Sequence, residues 1–445
     1  MSSESKSASG FPRGAGVQTN ISNAQSVYIT FVLACVACLA AADRNILAVL
    51  LVPIQNDLGA SDAAMGALNG IAWSLVYVTV ALPVARLADR GHRRNLLAAA
   101  VAFWSVMTML CGAATNFISM LLIRSGVAAG ESAYQPATFS LIGDLFSMKR
   151  RGTAIGFITV GTSIGISLGA FLAGFITENH SWQLAFIVMG IPGVLIALCI
   201  FFTVPEPARG RVDGGEKAGD EVQLGWWPSI KYVATIPTVW ALLPAKILMS
   251  VAFMGYLAWL PAYMQRVHGM GTQEMSMWYG ITIGIGAVLA NMAAGFISDI
   301  LVKRGANWRM IFSAIMTLSG APIVLAVVLA PNITVLLVTM LAHSFVTGGV
   351  SSVSIAAGLD IVKPRMRAFM AAAMAMCVSL IGAGLGPYIL GIVNDIAKQT
   401  YGDQSLRYTL LLVPVSLALS GVFYLISSLT ANRDVARARG EEAAA

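Results

Sequence analysis

Long apolar runs, each closed by a short cluster of charged or small polar residues, repeat along the whole chain. They read Ser26–Val52, Ala64–Leu87, Asn95–Thr115, Phe117–Phe146, Gly152–Glu178 and Trp182–Val204. A second set reads Pro237–Tyr263, Met275–Val302, Trp308–Ala330, Ile333–Val362, Ala368–Ala397 and Leu406–Thr430. Each exceeds the ~20 residues a helix needs to cross hydrocarbon, where a backbone must satisfy its own hydrogen bonds. The pattern predicts an all-α membrane protein of twelve transmembrane helices. A polar stretch, 205–236, divides the runs into two six-helix bundles, 26–204 and 237–430. Its Gly- and charge-rich middle reads as a flexible linker. Residues 1–25 read as a disordered terminus and 431–445 as a tail. The first apolar run is too long for the core of a cleavable signal peptide.

Composition agrees: 57% of the 445 residues are apolar and 11% charged, against about a quarter charged in a soluble protein. The net charge of +7 resembles a nucleic-acid signal until the charges are placed. Of the 28 Lys and Arg, three lie deep within runs, away from their ends (Arg44, Arg124, Lys246). Only Arg266, Lys398 and Arg407 lie on the side away from the termini. The positive-inside rule puts both termini in the cytoplasm of an inner or plasma membrane. The charge is a topology signal, and no nucleic acid is expected. The five cysteines all lie in apolar stretches, so no disulfide framework, metal site or cofactor is expected.

The two sets echo each other. Ala85-Arg-Leu-Ala-Asp89-Arg-Gly-His-Arg-Arg94 follows run two, and Gly295-Phe-Ile-Ser-Asp299 with Lys303 and Arg304 follows run eight. Asp144 before Lys149–Arg151 has its counterpart in Asp360 before Lys363–Arg367. The offsets are 210 and 216 residues. Duplicated six-helix units of this kind build rocker-type secondary transporters, which hold substrate between the halves.

The stretch Ala85–Arg94 resembles the loop signature of the major facilitator superfamily, with Ala85 in place of its first Gly. Asp43-Arg44, Ile54-Gln-Asn-Asp-Leu-Gly59, Arg124, Gly130-Glu131-Ser-Ala-Tyr134, Pro136, Gly143-Asp144-Leu-Phe146 and Pro205-Glu-Pro-Ala-Arg-Gly210 are together similar to the Spinster (sphingolipid-transporter) family and its bacterial relatives. Ala128 stands where that family usually has Gly. The anion–cation symporter family shares the Asp-Arg pair and the Arg…Gly-Glu pattern, which keeps sugar acids open as cargo. In the superfamily the loop aspartate latches the halves in the outward-open state. Carried over, Asp89, Arg90 and Arg93 form that latch, and Asp299 its repeat.

Asp or Arg at mid-bilayer costs about 2.5–3.5 kcal/mol on the insertion scale, so Asp43, Arg44, Arg124 and Glu131 need partners or water. Arg124 and Glu131 are seven residues apart on one helix face, ~10 Å along the axis, too far to pair with each other. Counted from the outer ends of the runs, Asp43 matches Arg124 in depth, and the long arm of Arg44 reaches toward Glu131. The network is expected to line the central cavity, with Asp43 or Glu131 taking up a proton as an arginine moves away; the bland alternative is a static pair joining two helices. Lys246 is a candidate cavity cation for an anionic head group, or else snorkels to the near interface. His343, Tyr134 and Gln135 complete the candidate cavity residues. Gly161-Thr-Ser-Ile-Gly165 fits a nucleophile-elbow pattern, but inside an apolar helix it reads as close packing.

With no catalytic constellation and no P-loop, the chain is expected to be a non-enzymatic transporter driven by a gradient. It should act as a monomer among membrane lipids and move an amphiphilic, lysolipid- or sphingoid-like solute by alternating access with protons. Alternatives are an organic-anion or sugar-acid symporter and, in a different class, a gradient-independent lipid scramblase.

Overall fold

The computed structural model describes residues 21–207, 226–301, 304–305 and 307–440, and no strand occurs among them. The helices trace twelve antiparallel passes. Spans one to six are Asn23–Val49, Ile71–Arg90 with its lead-in Asp62–Asn69, Arg93–Cys111, Phe117–Glu131 continued by Tyr134–Leu145, Met148–Asn179 and Trp182–Thr203. Spans seven to nine are Pro237–His268, Thr272–Gly280 continued through Gly286–Leu301, and Trp308–Val328. Span ten is Ile333–Gly348 continued by Val350–Asp360, span eleven is Arg367–Met376 continued through Gly384–Tyr401, and span twelve is Leu412–Arg439.

Side-chain caps start the helices. Ser22, Ser61, Asn116, Ser181 and Asn332 each accept a hydrogen bond from a backbone N–H of the first turn, satisfying donors that a membrane helix cannot leave bare. The last helix runs past Thr430, where the sequence places the start of a tail. Asp434 explains the extension: its carboxylate accepts from the backbone N–H and hydroxyl of Thr238 at 3.0 and 2.6 Å, tying span twelve to the start of span seven. Within the polar stretch between the halves, Trp226–Ala234 is helical, and residues 208–225 lie outside the described ones.

The internal repeat is visible in three dimensions. Arg93 pairs with Asp144 and, 216 residues on, Arg309 pairs with Asp360. Span four breaks directly after Glu131 and span ten at Gly349. Spans eight and eleven each carry a π-helical turn, Ile281–Ile285 and Cys377–Ala383. Such breaks loosen a helix where its backbone lines a protein interior rather than lipid.

Close packing binds span five to span one. A Cβ at Gly161, Gly165 or Gly169 would strike Ala34, Cys38 or Ala42, so the Gly-Thr-Ser-Ile-Gly stretch is a packing stripe, as read from the sequence. Between the halves, contacts gather at the end opposite the termini, called outer below. Gly66 lies against Pro387 and Gly391 against Asp62. Ser167 donates to the Gly280 carbonyl at 2.8 Å. Asp395 accepts from the backbone N–H groups of Asp62 and Ala63 at 2.9 and 2.8 Å.

Candidate functional site

Four ionisable side chains meet between spans one and four as two separate pairs. Arg124 donates to Asp43 at 3.3 Å, and both side chains are buried. Thr108 of span three completes the pair by donating to the other Asp43 oxygen at 2.6 Å. The second pair joins Arg44 to Glu131 at 2.9 Å. Depth counting along the runs matches Asp43 to Arg124 and Arg44 to Glu131, and those are the partners found.

The pairs differ in access. Glu131 is fully buried, with one carboxylate oxygen lacking any hydrogen bond, whereas 45% of the Arg44 side chain is exposed. Arg44 stands at the seam between the halves. Its neighbour Asn45 accepts from Tyr279 of span eight at 3.3 Å, and Ser74 of span two faces Gly384 of span eleven. Asp43 and Arg124 are both buried, while Arg44 keeps nearly half of its side chain exposed.

An aromatic wall holds Arg44. Its guanidinium lies 4.5 Å from the centre of the Trp73 ring, a geometry in which the ring face attracts the cation. Trp73 stacks on Tyr77 with centroids 4.6 Å apart, and Tyr77 and Tyr134 are near enough to feel the Arg44 charge. Sequence reasoning names Tyr134 but misses Trp73 and Tyr77. Their signal is an i, i+4 pair of large aromatics on one face of span two.

The remaining candidates are dispersed. Gln135 is exposed at the start of the second segment of span four. His343 is buried in the C-terminal half, edge-on to Tyr256 at 4.7 Å, with one ring nitrogen unbonded; it does not join the charge network. Lys246 does not snorkel. Its ammonium turns to span ten and donates to Ser354 at 2.9 Å and to the Ser351 carbonyl at 3.3 Å.

Arg93 is buried within the N-terminal half, where it binds Asp144, Ser140, Glu206 at 2.9 Å and the Pro207 carbonyl at 2.7 Å. Five donors on a rigid fork let it staple the ends of spans three, four and six. The side chains of Asp89, Arg90 and Asp299 lie outside the described residues. Among the described residues no cluster of metal-ligating groups occurs.

Two matched six-helix bundles with a charge network at their seam define a polytopic solute transporter. The chain belongs to the Major Facilitator Superfamily, whose family model matches residues 33–387. It is 30% identical over 406 residues to an MFS-type efflux pump of Mycolicibacterium smegmatis, covering 91% of this chain and 93% of that one. It is 25% identical to a sphingosine-1-phosphate transporter of Danio rerio, covering 87% and 81%, and 27% identical to a probable galactarate/D-glucarate transporter of Bacillus subtilis, covering 62% and 66%. The crystal structure of a bacterial homolog to the human lysosomal transporter Spinster, inward-facing and unoccupied, is 27% identical. It superposes with a TM-score of 0.83 over 93% of this chain and 99% of that one.

Proposed function

We propose that this protein is a proton-coupled secondary transporter in the inner or plasma membrane, with both termini in the cytoplasm, moving an amphiphilic solute of the lysolipid or sphingoid type. The observation that carries the reading is the asymmetry of the Arg44–Glu131 pair. Arg44 can leave Glu131 for a solute in the cleft without losing water or the Trp73 face. Glu131, buried and stripped of its cation, must then take up a proton, since an unpaired carboxylate in a low-dielectric interior is costly. Departure of the solute returns Arg44 and expels the proton. Asp43 and Arg124 stay together throughout and bolt span one to span four. The likeness to Spinster relatives over nearly the whole chain supports the lipid-like cargo, and the Trp73–Tyr77–Tyr134 wall suits an amphiphile's apolar body. Asp89, Arg90, Arg93 and Asp299 are assigned to the cytoplasmic latch of the outward-open state.

Sugar acids are the second reading, favoured by the Bacillus subtilis relative. Uptake into proteoliposomes under an imposed pH gradient tests the coupling. Wild type should concentrate solute only with the gradient, and Glu131→Gln should exchange solute but no longer respond to the gradient. Unchanged gradient dependence in Glu131→Gln would refute the scheme, and flux that survives collapse of the gradient would indicate a scramblase. Competition between a lysolipid and D-glucarate separates the two cargo readings.

A further inference from the structure

Lys246 is a buried charged group that this transport scheme leaves unused. It is 3% exposed, and its ammonium meets only neutral oxygens: Ser354 Oγ at 2.9 Å, the Ser351 carbonyl at 3.3 Å and Ser351 Oγ at 3.5 Å. Among the described residues it forms no ion pair with a carboxylate. The other deep charges are matched, Asp43 with Arg124 and Arg44 with Glu131. Among the described residues, Lys246 is thus a buried positive charge without a carboxylate partner, and it lies in the C-terminal half.

Its surroundings show where a counter-ion would come from. Both serines lie on the segment of span ten that begins just after the break at Gly349. Ser354 is buried, while Ser351 is exposed, so the ammonium sits one hydroxyl layer behind an accessible surface. By the internal repeat, spans seven and ten correspond to spans one and four, and Ser351 stands 216 residues after Gln135, exposed on span four. The pair of spans one and four carries the exposed Arg44. Ser351, the counterpart of Gln135, is the exposed polar position on the corresponding pair of spans seven and ten.

We propose that Lys246 and Ser351 seat the anionic group of the transported solute, so that the cargo carries a carboxylate or a phosphate. This rests on the transporter reading and deepens it. An ammonium held by neutral acceptors keeps its charge for an incoming oxyanion, and charge-assisted bonds to carboxylate or phosphate are the strong ones. The Ser351 hydroxyl turns outward to donate a second bond. Arg44 and Glu131 then handle the proton while Lys246 recognises the cargo across the cleft.

The test uses the full chain in lipid nanodiscs, with sphingosine 1-phosphate, D-glucarate and unphosphorylated sphingosine as probes, read by thermal shift and equilibrium binding. Wild type should bind at least one of the two anions, and which one separates a phosphorylated lipid from a free sugar acid. Sphingosine should bind at least ten-fold more weakly than that anion. Lys246→Met should weaken the anion ten-fold or more, Ser351→Ala about three-fold, and Lys246→Arg should restore most of the affinity. Comparing the melting temperatures of the ligand-free variants separates lost binding from lost folding, and Lys246→Arg and Ser351→Ala carry the test if Lys246→Met does not fold. Equal binding of the anion to wild type and Lys246→Met, equal binding of sphingosine, or binding of neither anion would overturn the proposal. Failure here with gradient response still lost in Glu131→Gln would leave the coupling scheme standing.

Discussion

Arg266 of span seven holds Asp62, at the lead-in to span two, through an ion pair of 2.9 Å that joins the two halves at the outer end. Asp62 has no exposed side-chain surface, and the same carboxylate accepts from Gln55 at 2.7 Å and from Asn394 of span eleven at 2.6 Å. Asp395 caps the backbone beside it. This cluster ties spans two, seven and eleven together, and it must come apart when the outer end opens.

Removing it should shift the balance of conformations. A hydrogen bond to a charged group is worth about 1.5–3 kcal/mol, an order of magnitude or more in the ratio of two states. Asp62→Asn and Arg266→Gln should each raise the outward-open population about ten-fold. Spin labels at Ala60→Cys and Gln404→Cys, on a background without native cysteines, would report the longer distance. An unchanged distance distribution would show that the pair is no lock.

The glycine contacts beside it make the opposite kind of lock. A Cβ at Gly391 would stand 2.5 Å from the Asp62 carbonyl oxygen, and one at Gly66 would stand 2.5 Å from that of Pro387. Neither backbone can yield cheaply. Gly391→Ala should hold the outer end open and slow turnover ten-fold or more, with little change in melting temperature, because the clash exists in one conformation only. Normal turnover in this variant would contradict the close approach.

The two ion pairs should separate in a stability assay. Asp43→Ala leaves Arg124 buried without its carboxylate, and breaking a buried pair costs about 3–5 kcal/mol. Glu131→Gln leaves Arg44 free to turn to water, with a loss of about 1 kcal/mol or less. Thermal unfolding in nanodiscs should show a large drop for the first and a small one for the second. The reverse order would exchange the roles assigned to them.

Trp73→Ala removes the face on which Arg44 rests, a cation–π contact worth about 0.5–2 kcal/mol. The half-saturating solute concentration should rise several-fold, and Trp73→Phe should recover most of the loss. An effect on maximal rate alone would point away from positioning of Arg44.

What could be read in the sequence follows from what a linear pattern encodes. Hydrocarbon thickness writes itself into run lengths, so the twelve passes are legible, and depth within a run carries enough geometry to match Asp43 to Arg124 and Arg44 to Glu131. Azimuth is harder. Trp73 and Tyr77 share a face of span two, but nothing in their spacing says that the face turns to Arg44. Contacts between the halves are harder still: Asp62 and Arg266 are 204 residues apart, and Arg266 registers in the sequence only as one of the few cations on the outer side. Arg93 shows the same limit, because a loop motif gives its neighbours in sequence and not the Glu206 and Asp144 that surround it.

The interruption of span four has a mechanical meaning. Its outer segment is bolted to span one through Arg124, and its other segment is stapled to span three through Asp144, so the two segments answer to different neighbours. Bending at Ser132 and Ala133 allows the mouth to narrow while the upper segment stays still. The Gly349 break gives span ten the same freedom. Closure at the end nearer the termini could then proceed by the folding-in of half-helices as well as by the tilting of whole bundles, and the joint in span four lies one residue from Glu131, the carboxylate to which the proposed scheme gives the proton.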